Sequence, residues 1–298
     1  MSDQDCIVMF EKHLREEKKA SANTLSSYLR DIRQLSEYLK DNTAHDLLTV
    51  SEAELEAYIS MLRMHGKSVS TVSRCIASVK CLYMYLCIHR VLAKNPSLHL
   101  TPEKQEHKLP GILTEEETEL LLSQPKCIDT KGYRDKAMLE LLYATGIRVS
   151  ELIDLNEKDV DLEKAEINCG TFDKIRKISL PERAVEALQN YVTLVRPQMI
   201  LSEEENALFV NIAGERMSRQ GFWKIIKYYA SQAGIRKDIT PHTLRHSFAA
   251  HLLESGADVK TIKEMLGHSD VASTQVYSGL LKASIADVYK HAHPYAET

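Results

Sequence analysis

The stretch 240–279 reads TPHTLRHSFAAHLLESGADVKTIKEMLGHSDVASTQVYSG, and its chemistry is concentrated at its two ends. Thr240 is a suitable N-cap, and Pro241 fits the first helical turn, where a missing N–H removes nothing. His242 and Arg245 are three apart, so their positions share one face of the opening turns. A helix N-terminus beside a guanidinium is an anion site in waiting. Ala249, Leu252 and Leu253 carry the helix to Ser255-Gly256, a C-terminal stop. A second helix is expected from Asp258 to Gly267. His268 follows at once, and Ser269 or Asp270 can cap a third short helix that delivers Tyr277. The segment thus gathers two histidines, an arginine and a tyrosine in a compact helical array.

Around this stretch lies a chain of 298 residues, long enough for two domains with separate cores. An apolar fraction of 44% and a charged fraction of 27% are ordinary for a soluble globular protein. No uninterrupted apolar run approaches the roughly 20 residues that span a bilayer. The acidic start, MSDQDCIVMFEKHLREE, does not read as a secretory signal. The six cysteines form no CxxC pair or framework spacing, so reduced thiols and a cytoplasmic location are expected. The net charge of −4 argues against a protein that coats nucleic acid indiscriminately, although not against one with a local basic surface. Residues 1–107 balance 14 basic against 14 acidic side chains, and the remainder has 24 against 28.

Working in from the N-terminus, Leu25, Tyr28, Leu29, Ile32, Leu35 and Leu39 recur at helical spacing. A second helix is expected over 52–63 with Leu55, Ile59 and Leu62 inward. A third, from about 70 to 87, would bury Val72, Ile76, Val79, Tyr83 and Leu86. Its start collects Lys67, Ser68, Ser70, Thr71 and Arg74, a candidate DNA-phosphate contact or simply a capped, solvated helix end. Pro96, Pro102 and Pro110 then mark a linker. The expected organisation is a bundle of about four helices over 1–107 and a mostly helical second domain over 108–298.

In the second part, Thr114 and Glu117 have capping-box spacing. The helix RDKAMLELLYATG ends at Gly146, and Arg148 opens the next one, either as a functional cation or as a surface partner of Glu151. Ile167, Cys169, Ile178 and Leu180 alternate around GTFDK, a hairpin with Lys174 at or near its tip and Lys177 as the alternative lysine. Loop-tip lysines also serve simply as solubilising groups. A helix over about 182–195, a short LFV strand near 208 and a helix from Ser218 to Ala233 complete the chain. The fold class is mainly α with a small antiparallel β-sheet.

Taken as one site, Arg148, Lys174, His242, Arg245, His268 and Tyr277 suit phosphoryl transfer. Two guanidinium forks match non-bridging phosphate oxygens and offset their developing charge without a metal. A mobile ammonium can protonate an oxygen leaving group, and the histidines can handle protons or hydrogen-bond the phosphate. A tyrosine with an ordinary pKa of about 10 becomes a nucleophile once cations lower that value. The rival is a metal-dependent hydrolase, since His242 and His246 stand at i and i+4 with His251 and His268 nearby. No HExxH glutamate accompanies them, and Arg245 between the ligands would repel a dication. No metal and no cofactor are therefore expected.

The order Arg, Lys, His, Arg, His, Tyr resembles the tyrosine recombinase (phage-integrase-like) family. The matching stretches are ATGIRVSEL, GTFDKIRKISLP, HTLRH, LGH and VYSG. The N-terminal helices and linker are similar to that family's SAM-like core-binding domain, and SIADVYKHAHPYA resembles the C-terminal segment of its Xer branch. The hairpin departs from the common GKGxKxR at Thr171 and Phe172, and Ser278-Gly279 replaces a frequent Thr-His.

The resemblance implies a site-specific recombinase that cleaves and rejoins DNA through a 3′-phosphotyrosyl link and a Holliday junction. Double-stranded DNA sites would be its partners, bound by a homo- or heterotetramer on two duplexes. The C-terminal segment would dock on the neighbouring subunit, an activating cell-division protein could take part, and no membrane is involved. Chromosome-dimer resolution is the implied role. The alternatives are a mobile-element integrase and a DNA-binding protein that has lost catalysis.

Overall fold

The computed structural model describes residues 1–103, 111–171, 174–202 and 204–267; of residues 171 and 174 only the backbone is described. The chain divides into two compact units, Met1–His107 and Lys108–Thr298.

The first unit is built from α1 (Asp3–Glu16), α2 (Ala22–Asn42), α3 (Glu52–Met64) and α4 (Val69–Ile88). Each begins on a serine, Ser2, Ser21, Ser51 or Ser68, whose hydroxyl accepts the N–H three residues on. Leu29, Ile32, Leu35 and Leu39 of α2 and Leu55, Ile59 and Leu62 of α3 are buried. So are Val72, Ile76, Val79, Tyr83 and Leu86 of α4, as their spacing predicts. Leu100 closes the same core, so the segment after Pro96 packs on this unit before the chain leaves it. α4 is long and apolar enough to cross a membrane by length and composition alone, which the count of uninterrupted apolar residues misses; half of that window is buried in the bundle.

One buried charge ties two of these helices together. Asp31 of α2 accepts Arg74 Nε at 3.0 Å and Nη2 at 2.8 Å from α4.

The second unit opens with α5 (Glu115–Leu122), capped by Thr114 and Glu117 in the reciprocal arrangement their spacing predicts. Next is α6 (Thr130–Thr145), with Gly146 in left-handed conformation at its end. Its Met138, Leu139, Leu141 and Leu142 are all fully buried, because α5, α8 and α11 pack around it. Then come α7 (Val149–Asp154) and a three-stranded antiparallel sheet of order β1-β2-β3. The strands are β1 (Val160–Asp161), β2 (Glu166–Thr171) and β3 (Lys174–Ser179). Ile167 pairs with Ile178, and both face the core as the alternation predicts. The two-residue β1 has too little sequence for any alternation to show.

Beyond the sheet, α8 (Glu182–Asn190) continues through a π turn, Tyr191–Val195, into α9 (Arg196–Met199). The expected LFV strand does not form. Ala207 bridges Asn156 and Val210 bridges Arg216, each alone, while Leu208 N–H donates to the Leu155 carbonyl. Leu208, Phe209 and Val210 are all fully buried, so their apolar run reflects insertion into the core and not one face of a ladder. Last are α10 (Arg219–Gln232), α11 (Pro241–Glu254) and α12 (Val259–Leu266). The caps are Ser218, Thr240 and Asp258, with stops at Ser255-Gly256 and Gly267. The third short helix expected toward Tyr277 lies outside the described residues.

All six cysteines are free thiols; Cys6, Cys75 and Cys169 are buried and Cys127 is exposed. Asp31→Ala should destabilise the protein by about 2 kcal/mol, because it strands a half-buried guanidinium between two helices. A lowered urea midpoint with an unchanged slope would show this. A loss below about 0.5 kcal/mol would mean that water already screens the pair.

Candidate active site

The site begins where α6 stops. Gly146 has φ +59°, and a Cβ there would lie 2.3 Å from Phe248 Cδ1 and 2.8 Å from Leu266 Cδ2. Glycine therefore serves both the left-handed turn and the close approach of α11 and α12. Two residues on, Arg148 is the N-cap of α7, and Glu151 at the third helical position reaches back to it. Glu151 Oε2 accepts the Arg148 backbone N–H at 2.7 Å, and Oε1 accepts Nη1 at 3.2 Å. The pairing with Glu151 that the sequence suggests is present, but Arg148 has a second partner: its Nη2 donates to the Gly267 carbonyl at 3.0 Å.

Arg245 arrives from α11, a helix whose start is fixed by Thr240, Pro241 and the Thr243 N–H to Thr240 hydroxyl bond. Its guanidinium is buried and donates to the Gly146 carbonyl and, at 2.7 Å, to the Leu266 carbonyl. A third arginine, Arg176 of β3, donates from Nε to the Met265 carbonyl at 3.0 Å. Three guanidiniums thus meet the successive carbonyls 265, 266 and 267. These are the groups that a helix end leaves without intrahelical partners, at the negative pole of its dipole.

The electrostatics follow from this convergence. Burial pushes the Glu151 carboxyl up, but Arg176 and the Arg148 N–H and guanidinium outweigh it and hold the group below its usual range. Glu151 is therefore ionised, and three arginines against one carboxylate leave an excess of positive charge. The Cys169 thiol behind them is pushed up to about 12, by burial and then by Glu151, despite the nearby arginines. It stays neutral and unreactive.

His242 is exposed in the first turn of α11, unlike the buried Arg245 three residues later. Lys174 opens β3, paired in register with Thr171. Lys177 is exposed, with Nζ 4.0 Å from Glu166. Period-two alternation gives Lys177 the parity opposite to Arg176 and gives position 174 the same parity. His268 and Tyr277 lie outside the described residues. The residues that the sequence reading overlooked are Arg176 and the bridging role of Glu151. The only signal for the pair was a hairpin arginine two after Lys174, and its partner comes from another element.

Of the remaining α11 histidines, His251 is structural. His251 Nδ1 meets the Tyr143 hydroxyl at 2.8 Å and Nε2 meets the Leu113 carbonyl at 2.9 Å, so both ring nitrogens are used. His246 is pushed down to about 4 by burial and by the neighbouring His242 and Arg245. In the first unit, Lys67 and Ser70 are exposed at the start of α4, and the Thr71 hydroxyl is 2.9 Å from that of Ser68. Arg74 stands one turn on, held by Asp31. Among the described residues, His13, Glu17 and His89 form a group with metal-ligand chemistry, in the first unit and unrelated to α11.

Comparison with known proteins gives a consistent picture. Residues 112–283 match the phage integrase family, and residues 7–89 match the phage integrase N-terminal SAM-like domain. The chain is 45% identical over 289 residues to a tyrosine recombinase XerD of Oceanobacillus iheyensis, covering 95% of this chain and 96% of that one. It is 40% identical over 281 residues to a tyrosine recombinase XerD of Staphylococcus epidermidis, covering 94% and 95%. The fold is similar to that of the XerH site-specific recombinase bound to a palindromic difH substrate, captured after cleavage. There the TM-score is 0.75 at 22% identity, covering 95% of this chain and 84% of that one.

The depressed His246 value makes a pH prediction. Its folded value of about 4 lies below the ordinary 6.5, so between these pH values the unfolded chain binds the extra proton. The stability contributed by neutral His246 is complete above pH 6.5 and is lost as the pH falls toward 4. His246→Gln should flatten the denaturation-derived stability curve across that window. An unchanged slope would show that His246 titrates as it does in the unfolded chain.

Proposed function

This chain belongs to the phage integrase family of tyrosine recombinases, and from that premise we propose that it cleaves and rejoins DNA at specific sites with Tyr277 as nucleophile. The Tyr277 oxygen forms a bond to a backbone phosphorus while the bond to the 5′ oxygen breaks. The products are a 3′-phosphotyrosyl ester and a free 5′-hydroxyl. That hydroxyl then attacks the phosphotyrosyl link of a partner strand, and a Holliday junction is the intermediate. Energy is kept in the ester, so neither ATP nor a metal enters the step.

Arg148 and Arg245 are the proposed phosphate clamp. The observation that carries this reading is their convergence from α7 and α11 on the adjacent carbonyls of Gly267 and Leu266, directly before His268. Their fixed forks would stabilise charge as it develops on the non-bridging oxygens. Lys174 protonates the departing 5′ oxygen; its strand parity with Arg176 supports it over Lys177. His242, exposed at the positive end of α11, and His268 take part in proton transfer and hydrogen bonding. Duplex phosphates are bound by the start of α4 through Lys67, Ser70, Thr71 and Arg74, the last pre-oriented by Asp31.

The assembly is a tetramer of recombinases on two duplexes with the C-terminal segment docked on the neighbour, acting in the cytoplasm. Chromosome-dimer resolution, with a cell-division protein as activator, is the role favoured by the likeness to XerD proteins.

A nicked suicide duplex carrying a candidate site tests the chemistry. In EDTA the wild-type protein should form a covalent adduct on a denaturing gel. Tyr277→Phe should form none while binding the duplex within about twofold of wild type, the signature of a group used only in the chemical step. An adduct that persists in Tyr277→Phe, or that EDTA abolishes, would overturn the assignment.

A further inference from the structure

Arg176 has no part in the chemistry assigned above, yet it lies at the centre of the site. From β3 its Nη1 and Nη2 donate to the two oxygens of Glu151 at 2.9 and 3.0 Å, fork to fork. The remaining edge, Nε, donates to the Met265 carbonyl at 3.0 Å. Gly267 makes room for this arrangement, since a Cβ there would lie 2.8 Å from Nη1 and 3.0 Å from Cζ. Glu151 in turn holds both the N–H and the guanidinium of Arg148. The chain of contacts therefore runs from hairpin strand to carboxylate to the proposed phosphate ligand, with a branch to the end of α12.

A buried ion pair is weak evidence of stabilisation, because its Coulombic gain is largely offset by desolvation. The use of this one lies in what it does to Arg148. A lone Glu151, three residues away on the same helix, would neutralise Arg148 and compete with a phosphate for its fork. Arg176 instead takes both carboxylate oxygens, leaving the Arg148 guanidinium one longer contact with Glu151, at 3.2 Å, beside its bond to the Gly267 carbonyl, and a side chain 41% exposed. The carboxylate thus orients Arg148 without cancelling its charge.

We propose that Arg176 is a positioning residue for DNA cleavage: it engages Glu151 so that Arg148 is aimed at the scissile phosphate with its charge available, and it ties the hairpin strand to the carbonyl end of α12. This rests on the reading that Arg148 binds that phosphate. The groups facing Glu151 are Arg148 on its own helix and Arg176 from β3. Cys169 approaches from β2 as a neutral thiol with Arg245 of α11 near it. Arg176 is the leading partner that keeps the carboxyl ionised against burial, so its loss raises the pH at which Glu151 takes up a proton.

The full-length protein and its Arg176→Gln and Arg176→Lys variants are compared in two measurements. The first is deuterium uptake, without DNA, in peptides covering 146–152 and 262–267. Arg176→Gln should raise uptake in both, because the Arg148 N–H loses a fixed acceptor and the α12 end loses a donor. The second is the rate of adduct formation on the nicked duplex between pH 5 and 8, beside duplex affinity. Arg176→Gln should bind the duplex within about threefold of wild type but form adduct about ten- to a hundredfold more slowly. Its rate should fall toward acid more steeply than the wild-type rate. Arg176→Lys should remove that added steepness by restoring the charge, yet recover only part of the rate, since an ammonium cannot span Glu151 and Met265 together.

Unchanged uptake in both peptides overturns the proposal, whatever the activity. So does a wild-type rate in Arg176→Gln, or a rate loss that simply tracks a lowered melting temperature with no acid dependence beyond that of wild type. If the wild-type protein forms no adduct on any duplex, the recombinase reading fails, and uptake alone decides whether Arg176 orients Glu151 and Arg148.

Discussion

The end of α12 is the constraint on which the second unit depends. A helix end leaves its last carbonyl oxygens without intrahelical partners, and those shielded from water need a donor. Here the donors are Arg176, Arg245 and Arg148 on carbonyls 265, 266 and 267. They come from β3, α11 and the cap of α7, so satisfying one helix end fixes three other elements around it. The arrangement is reciprocal. Guanidiniums held at a negative helix pole can be packed together in a small volume where like charges would otherwise push apart. A positively charged site is thereby assembled from three side chains.

Holding that geometry requires a stiff support, and α6 supplies it. Fully buried along its middle, it runs through the unit and delivers Gly146 to the point where Phe248 and Leu266 close over it. The carbonyl of that same glycine accepts a bond from Arg245. Backbone conformation, apolar packing and a charged hydrogen bond therefore meet at one residue, and Arg148 follows two positions later on a backbone already fixed. The first unit solves a simpler problem. Serine caps set its helix ends, and one buried carboxylate at Asp31 orients the guanidinium of Arg74 at the start of α4.

Local signals were strong throughout the chain. The periodicities of α2, α3 and α4, the Thr114–Glu117 cap, the Gly146 and Gly267 stops and the Ile167–Ile178 pairing could each be read because short-range sterics and hydrogen bonding decide them. The failures were also local in origin. The LFV segment is apolar because it is fully enclosed, and single-residue bridges to two different partners leave no period to detect. The two-residue β1 is recognisable only through its pairing with β2.

For the site, the sequence by itself determined which residue types are present and in what order, along with the caps that start α7 and α11. Those are properties of neighbours along the chain. Only the tertiary structure decided that Arg148 and Arg245 end on adjacent carbonyls, that His251 is a satisfied core histidine and that His246 is held neutral. It also decided that Arg176 shares Glu151 with Arg148. The physical reason is that a charged side chain takes its role from the donors, acceptors and dielectric around it. In this fold those are supplied by elements far apart in sequence.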